Sequence, residues 1–341
     1  MLRVSVHASQ RSSGHIVKLI ASIVLLATAL FIFLNRQTLI DQVAVWQFQP
    51  SPSIVSITER TEFSDRGTFL FYASQPELLE RDAFNGACRS AAHEQTAVLG
   101  CYVANKIYLF DITNRKLDGI KEVTAAHEML HAAYQRLPEG ERQRIDGLLE
   151  KQSRVLGNDQ VRIDELMAEY AKSEPGERFN ELHSILGSEV KALSPELEAY
   201  YAQYFSDRNA VVSLAKQYQG VFDELKGQQE ALVNEINSLA DQIDVLGSAY
   251  RRNLEVLSGD VESFNSRAGS GAMTRPQYEA ERSALVSRQN ALRREYDMVQ
   301  NLIASYEAKR QQLMAINSES NTLNRSINSS LTPVSSEDID G

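Results

Sequence analysis

The chain is poor in cysteine and lacks basic clusters, and both features narrow its function. Only two of its 341 residues are cysteine. Because Cys88 and Cys101 do not form a Cys-x-x-Cys pair, a cysteine-based metal site is disfavoured. Lys and Arg number 35 against 45 Asp and Glu, which gives a net charge of -10. No basic run exceeds a short pair, so the sequence has no electrostatic signature for nucleic-acid binding.

The two cysteines suit an oxidising compartment. Their short separation fits a local disulfide across a hairpin or loop, and two free buried thiols are the alternative.

The hydrophobic content of 43% is ordinary for a chain that folds around a core, which excludes a disordered protein.

A long apolar run lies near the N-terminus. Residues 16–34 read IVKLIASIVLLATALFIFL, close to the ~20 residues that cross a bilayer. Arg3 and Arg11 precede the run, Lys18 lies near its N-terminal end, and Arg36 follows it. The positive-inside rule therefore predicts a cytoplasmic tail at 1–15, a transmembrane signal anchor at 16–35 and an extracytoplasmic remainder.

Two other interpretations of this run exist. Residues 27–29 (Ala-Thr-Ala) resemble the cleavage site of a signal peptide. The apolar run continues through residue 34, where a processed signal would turn polar, so we favour an uncleaved anchor. A buried helix of a soluble domain is disfavoured by the length and hydrophobicity of the run.

Residues 36–206 are predicted to form one α+β domain, a small sheet followed by several helices. A membrane-proximal connector occupies 36–50, with Trp46 near the interface. Predicted strands are 53–59, 68–72, 98–102 and 106–110, the last two forming a hairpin. Predicted helices are 76–94, 119–137 with Asp118 as N-cap, 139–156, 160–172, 175–190 and one opening at Ser194.

Residues 207–328 have the pattern of a coiled-coil hairpin. Apolar residues recur at spacings of three and four from Leu232 to Phe264 and again from Leu285 to Ile327. The intervening SRAGSGAMTRPQ breaks the helix, so an antiparallel pair is expected. Residues 329–341 are predicted to be disordered.

The motif that carries chemistry is His127-Glu128-Met-Leu-His131. Two histidines four apart lie on one helical face, so both imidazoles can bind one metal ion, with Glu128 beside them. Zinc is the default metal for such ligands. It activates water and polarises a carbonyl, while Glu128 transfers the proton to the leaving amine. Two histidines without a metal are the simpler alternative.

This motif resembles the zincin superfamily of metallopeptidases, in which a helix bearing HExxH follows a substrate-binding edge strand. The resemblance covers about residues 50–206. Tyr134 and Leu137 stand where metzincins have Gly and a third His, so the similarity is to the gluzincin branch, whose third ligand is a Glu on a later helix.

Glu181 is the expected third ligand. The pair Asn180-Glu181 resembles the Asn-Glu pair on the glutamate helix of several gluzincins. Glu189 and Glu169 are the alternatives, with Glu165 near the latter. A solvated helical carboxylate is the simpler interpretation of each.

His183 is the candidate for stabilising the oxyanion, a role that zincins assign to Tyr, His or Arg. A core or capping histidine is the alternative for this residue. The resemblance also places an edge strand beside the site, and the order of the chain assigns it to residues 107–110. An extended peptide would pair with this strand through backbone hydrogen bonds.

Two functional hypotheses follow. The first is a membrane-anchored, extracytoplasmic zinc peptidase that acts on a protein or peptide. The second is an envelope interaction or scaffold protein, in which the coiled coil binds a partner or a second copy and the metal domain is degenerate or structural. The intact Glu128 favours the first, because a structural site needs the histidines but not this carboxylate.

Overall fold

The computed structural model describes residues 12–88, 99–173 and 175–329, which are mostly helical, with one small sheet. Most of the predicted tails, 1–15 and 329–341, lies outside the described residues. The helices are α1 (Ser12–Leu34), α2 (Arg36–Gln47), α3 (Pro52–Arg60), α4 (Asp65–Ala73), α5 (Arg81–Ala87), α6 (Ile120–Gln135), α7 (Glu139–Gln152), α8 (Gln160–Ser173), α9 (Arg178–Glu189), α10 (Pro195–Tyr201), α11 (Arg208–Gly269) and α12 (Arg275–Ile327). The strands are β1 (Glu77–Leu79), β2 (Gly100–Val103) and β3 (Lys106–Phe110).

The described chain divides into two compact units. One contains the residues up to Tyr218 together with those from Ser326 onward, and the other runs from Gln219 to Arg325. The first unit holds all three strands and the HExxH helix, and the second consists of most of the two long helices.

Helix α1 contains the apolar run. Its segment Val17–Leu34 has a mean hydropathy of 2.6 and no buried residue. The segment is therefore long and apolar enough to cross a membrane. A signal sequence can have the same length and composition, so both interpretations remain open. The orientation of the chain across a membrane stays a prediction.

The strands predicted at 53–59 and 68–72 are wrong, because both segments are helical (α3 and α4). The Ser51 side chain accepts a hydrogen bond from the N–H of Ile54, and the Ser64 side chain accepts one from the N–H of Gly67. Such caps start helices. In α3 the buried residues Ile54 and Ile57 are three apart, which is a helical and not a strand period. The connector at 36–50 is also mostly helical, as α2.

The sheet has the order β1-β3-β2, with β1 parallel and β2 antiparallel to β3. The predicted hairpin is confirmed. Its tip, Ala104 and Asn105, has positive φ at both residues (51° and 63°), as a two-residue hairpin turn requires. The prediction of a single helix over 76–94 is wrong, because β1 precedes the short α5, and residues 89–98 lie outside the described part.

The edge strand predicted at 107–110 is also wrong. This segment belongs to β3, which pairs with β1 on one side and β2 on the other. Its backbone hydrogen-bonding groups are therefore used within the sheet.

The two cysteines form a disulfide. Cys88 and Cys101 are bonded, with their Cα atoms 5.9 Å apart and both side chains buried. The bond ties the end of α5 to β2. The local disulfide that the sequence allowed is therefore formed, and the oxidising compartment stays a prediction.

Helix α6 packs tightly against α9. Four buried alanines of α6 allow close approach: Ala125, Ala126, Ala132 and Ala133. On α9, a Cβ at Gly187 would lie 2.5 Å from Leu130 Cδ1 and 2.6 Å from Tyr201 Cε1, so this position has no room for a side chain.

The predicted N-cap of the HExxH helix is wrong by one residue. Gly119, with a φ of 95°, precedes α6 and Asp118 does not cap it. Both carboxylate oxygens of Asp118 instead accept hydrogen bonds from the Arg60 guanidinium, at 3.0 and 2.8 Å. A Cβ at Gly119 would also lie 2.9 Å from Leu214 Cβ.

The second unit is a pair of antiparallel long helices. Residues early in α11 pair with residues late in α12, as Glu235 does with Lys309 at 2.6 Å. Residues near the end of α11 pair with the start of α12, as Arg267 does with Glu281 at 2.6 Å. Buried seam residues include Leu257, Phe264, Leu292 and Val299.

Candidate metal centre

The two histidines of the motif lie one turn apart on α6. Their ring centroids are 4.6 Å apart and the rings are nearly perpendicular. The side chains of His127 and His131 are only 13% and 11% exposed. The helical spacing therefore brings two largely buried imidazoles together.

Glu181 reaches the same point from the first turn of α9. Its Oε2 lies 3.5 Å from His127 Nε2, and its Oε1 lies 3.4 Å from His131 Nε2. One ligand atom from each of the three residues lies within 4.8 Å of the others, and no further group of this kind occurs among the described residues. This buried His-His-Glu group could hold a metal ion.

The spacing fits a tetrahedral metal. Two ligands at about 2.0–2.1 Å from zinc, separated by the tetrahedral angle, are about 3.3–3.5 Å apart. The two nitrogen–oxygen distances, 3.4 and 3.5 Å, agree with this geometry. They are also too long for good hydrogen bonds. Buried Glu181 Oε2 has no hydrogen-bond partner of regular geometry in the described residues, which also suits a cation.

The surroundings keep Glu181 in its charged form. Burial acts to raise the pKa of Glu181, but the electrostatic interaction with His131, the contact with His127 and the hydroxyl of Tyr170 together lower it below its ordinary value. A carboxylate that is buried and ionised needs a positive partner.

The orientation of His131 is set by the residue before Glu181. Asn180 Nδ2 donates to Glu177 Oε2 at 3.1 Å, so Asn180 Oδ1 faces the imidazole. His131 Nδ1 lies 2.9 Å from that oxygen and 3.1 Å from Ser184 Oγ. With Nδ1–H donating to Asn180, the lone pair is on Nε2, the atom nearest Glu181.

Glu128 lies against strand β2. It is 5% exposed. A Cβ at Gly100 would lie 2.8 Å from both Cγ and Oε1 of Glu128, and 2.6 Å from Thr124 Cγ2. Only glycine lets the strand pass this close to the carboxylate.

The alternative third ligands have other partners. Glu189 binds Arg162 at 2.6 Å, and Glu169 binds Lys172 at 2.8 Å. Glu165 is exposed. The geometry thus groups Glu181, and none of these three, with the two histidines.

His183 is placed differently from the candidates above. It is fully buried, its Nε2 lies 2.8 Å from the Tyr200 hydroxyl, and its ring packs against Tyr134. Burial, followed by the charges of His131 and His127, lowers the pKa of His183 to about 3, against the opposing effect of the Leu130 backbone. Its predicted oxyanion role stays a prediction, and this burial disfavours it.

Tyr170 is a site residue that the sequence did not indicate. It lies on α8 and its hydroxyl interacts with the Glu181 carboxylate. Its only sequence signal is a tyrosine one residue beyond Glu169 in a helical segment. The contact depends on how α8 packs against α9, which spacing along one helix does not reveal.

Comparison of the chain with protein-family models, with curated proteins and with solved structures finds no match. The chemistry of the site and its surroundings therefore carries the functional argument.

Proposed function

We propose that this chain is a membrane-anchored zinc peptidase with its catalytic unit outside the cytoplasm. The observation that carries the proposal is the buried convergence of His127, His131 and Glu181 beside Glu128. Two imidazoles and one carboxylate are the protein ligands of several catalytic zinc sites, which leave a fourth position open. The α1 helix and the disulfide support an anchored, extracytoplasmic location.

The ligands would be Nε2 of both histidines and a Glu181 oxygen. When bound there, zinc supplies Lewis-acid polarisation of the scissile carbonyl and lowers the pKa of water. Glu128 is the general base: its carboxylate accepts the proton of the attacking water and returns it to the leaving nitrogen. Asn180 holds the His131 ring in the tautomer that leaves Nε2 available.

The substrate is proposed to be an extended polypeptide lying along β2. This strand pairs with β3 on one side only within the described residues, and its first residue, Gly100, touches Glu128. Strand addition at this side would bring a backbone carbonyl near the metal ligands with little dependence on side-chain identity. Tyr170, close to the ligand carboxylate, replaces His183 as the proposed donor to the oxyanion.

The test is hydrolysis of an unstructured protein by the full chain in detergent or lipid. Wild type is compared with Glu128→Gln, which keeps the three ligands but removes the base. We expect cleavage by wild type, loss of cleavage with a chelator and restoration with zinc. Equal cleavage by Glu128→Gln and wild type would contradict the assignment of Glu128 as the general base.

An interaction or scaffold protein is the second proposal. It is supported by the long α11–α12 pair, on which Val245 and Val256 are 66% and 56% exposed. Because the two residues are eleven positions apart, they lie on the same side of the helix, where a partner helix or a second copy could contact both. A folded chain that binds metal but cleaves nothing, and that gains a partner through this pair, would favour it over the peptidase.

A further inference from the structure

Helix α2 has an exposed apolar face. Its large apolar side chains Leu39, Ile40, Val43 and Trp46 are 42%, 56%, 46% and 78% exposed. At 3.6 residues per turn they lie on one side of the helix. Four such residues on a helix of 12 residues form a continuous apolar stripe, which soluble surfaces rarely carry without a purpose.

The opposite face of α2 is fixed to the metal-binding unit. Asp41 is 4% exposed. Its two carboxylate oxygens accept hydrogen bonds from Arg136 Nε at 2.9 Å and from Arg136 Nη2 at 2.8 Å. The Gln37 side chain donates a third hydrogen bond to this carboxylate at 2.9 Å. A buried bidentate ion pair has a defined geometry. The outward direction of the apolar stripe is therefore set by the fold.

Arg136 follows α6 directly and also binds the hairpin. Its Nη1 donates to the Tyr102 hydroxyl on β2 at 2.8 Å. One guanidinium thus joins α2, the end of the HExxH helix and the strand that passes Glu128. Any surface that binds the stripe on α2 would be held at a fixed position relative to His131, five residues before Arg136 in the chain.

We propose that α2 lies in the membrane–water interface, with Leu39, Ile40, Val43 and Trp46 in the boundary between lipid headgroups and acyl chains. A lipid bilayer is the occupant because α2 follows the apolar α1 directly in the chain. The two helices are separated by one residue, Asn35, whose backbone is not helical (φ −107°, ψ 15°). Tryptophan prefers this interface, and an amphipathic helix binds it through its apolar side.

An interfacial α2 would also restrict the substrates, an inference that rests on the proposed peptidase function. The bilayer surface would hold the metal centre at a fixed height, because Asp41–Arg136 links α2 to α6. The substrates would then be polypeptide segments close to the membrane surface.

The test uses Trp46, which is the single tryptophan of the chain. The full chain is reconstituted in phosphatidylcholine vesicles that contain lipids brominated either near the headgroup or near the chain ends. We expect blue-shifted Trp46 emission that is quenched more strongly by the shallow bromines. Emission typical of water without quenching would place α2 in solvent, and blue-shifted emission without quenching would place a protein on the stripe. Either result overturns the proposal.

A pair of variants gives the control. Val43→Glu puts a charge on the stripe, and Thr38→Glu puts the same charge on an exposed position outside it. Val43→Glu is expected to reduce the quenching by on the order of twofold and Thr38→Glu to leave it unchanged. Equal quenching in both variants would contradict the proposal. Metal content, measured on the same samples, reports the metal centre separately, so a failure of the interfacial helix is distinguishable from a failure of the peptidase.

Discussion

His131 Nδ1 lies 2.9 Å from Asn180 Oδ1, so the residue preceding one proposed ligand orients the imidazole of another. The two residues are 49 positions apart in the chain, and α6–α9 packing brings them together. This contact determines which nitrogen of His131 is free for a metal ion.

Replacing Asn180 should therefore weaken metal binding without removing a ligand. We expect Asn180→Ala to bind zinc about 10–100-fold more weakly than wild type, the usual effect of losing a partner of a ligating histidine. Competition with a chromophoric chelator measures this. Asn209→Ala, on a helix distant in sequence, is the control. Unchanged affinity in Asn180→Ala would contradict the assigned orientation of His131.

The third ligand is tested by exchanging carboxylates for amides. Glu181→Gln should lose tightly bound zinc, because Glu181 is, within the described part of the chain, the carboxylate that faces both Nε2 atoms. Glu189→Gln and Glu169→Gln change the same chemical group in salt bridges with Arg162 and Lys172, and both should retain zinc. Elemental analysis of the purified chains distinguishes the three. Zinc loss in Glu189→Gln with retention in Glu181→Gln would reverse the assignment.

Gly100 should be required for turnover but not for metal binding. Its Cβ would collide with Glu128 Oε1 and Cγ, so Gly100→Ala is expected to displace the general base. A displacement of about 1 Å can lower kcat on the order of a hundredfold. Gly147→Ala, where a Cβ meets nothing within 4 Å, is the matched control and should keep wild-type activity. Normal kcat in Gly100→Ala would argue against Glu128 as the base.

The disulfide should contribute to the stability of the first unit. Its closed loop, with a sequence separation of 13 residues, corresponds to about 3 kcal/mol in the loop-entropy model. Urea unfolding of Cys88→Ala/Cys101→Ala is expected to give a free energy of unfolding lower by this order. Unfolding of the α11–α12 pair, in which Tyr250 contacts Tyr296, should be unaffected. Unchanged stability of the first unit would mean that β2 is held by its other contacts.

Acidification should destabilise the fold through His183. Its pKa in the folded protein is about 3, below the ~6.5 of an unfolded histidine. Between these values the unfolded chain binds more protons, so the free energy of unfolding falls as the pH is lowered from about 6.5 towards 3. NMR titration of the histidine rings, with His183→Gln for assignment, measures this. A His183 signal that titrates near pH 6.5 would contradict the observed burial.

Local patterns predicted what depends on local spacing. The HExxH pair, the hairpin with its Ala104-Asn105 tip and the two long helices follow from residues close in sequence. The β-branched residues of 53–59 favour a strand, but the helix begins at the Ser51-Pro52 start signal. The helical spacing of Ile54 and Ile57 also favours a helix.

Long-range contacts explain the rest. The strand β1 has three residues and is held by parallel pairing with β3. It is too short to show an alternation of apolar and polar residues in the sequence. Tyr170 joins the site through packing of α8, and Asp41 meets Arg136 across 95 positions. Neither contact leaves a pattern in one stretch of sequence. Glu181 is predicted from the resemblance of Asn180-Glu181 to an Asn-Glu pair and not from spacing.

The metal content of the folded full chain tests the proposed zinc site most directly. Elemental analysis is performed on wild type, Glu128→Gln and Glu181→Ala, each purified in detergent and checked for helicity. We expect about one zinc per chain in wild type and in Glu128→Gln, no tightly bound zinc in Glu181→Ala, and peptide hydrolysis in wild type alone. A folded wild-type chain that takes up no zinc on reconstitution would contradict the proposed zinc site.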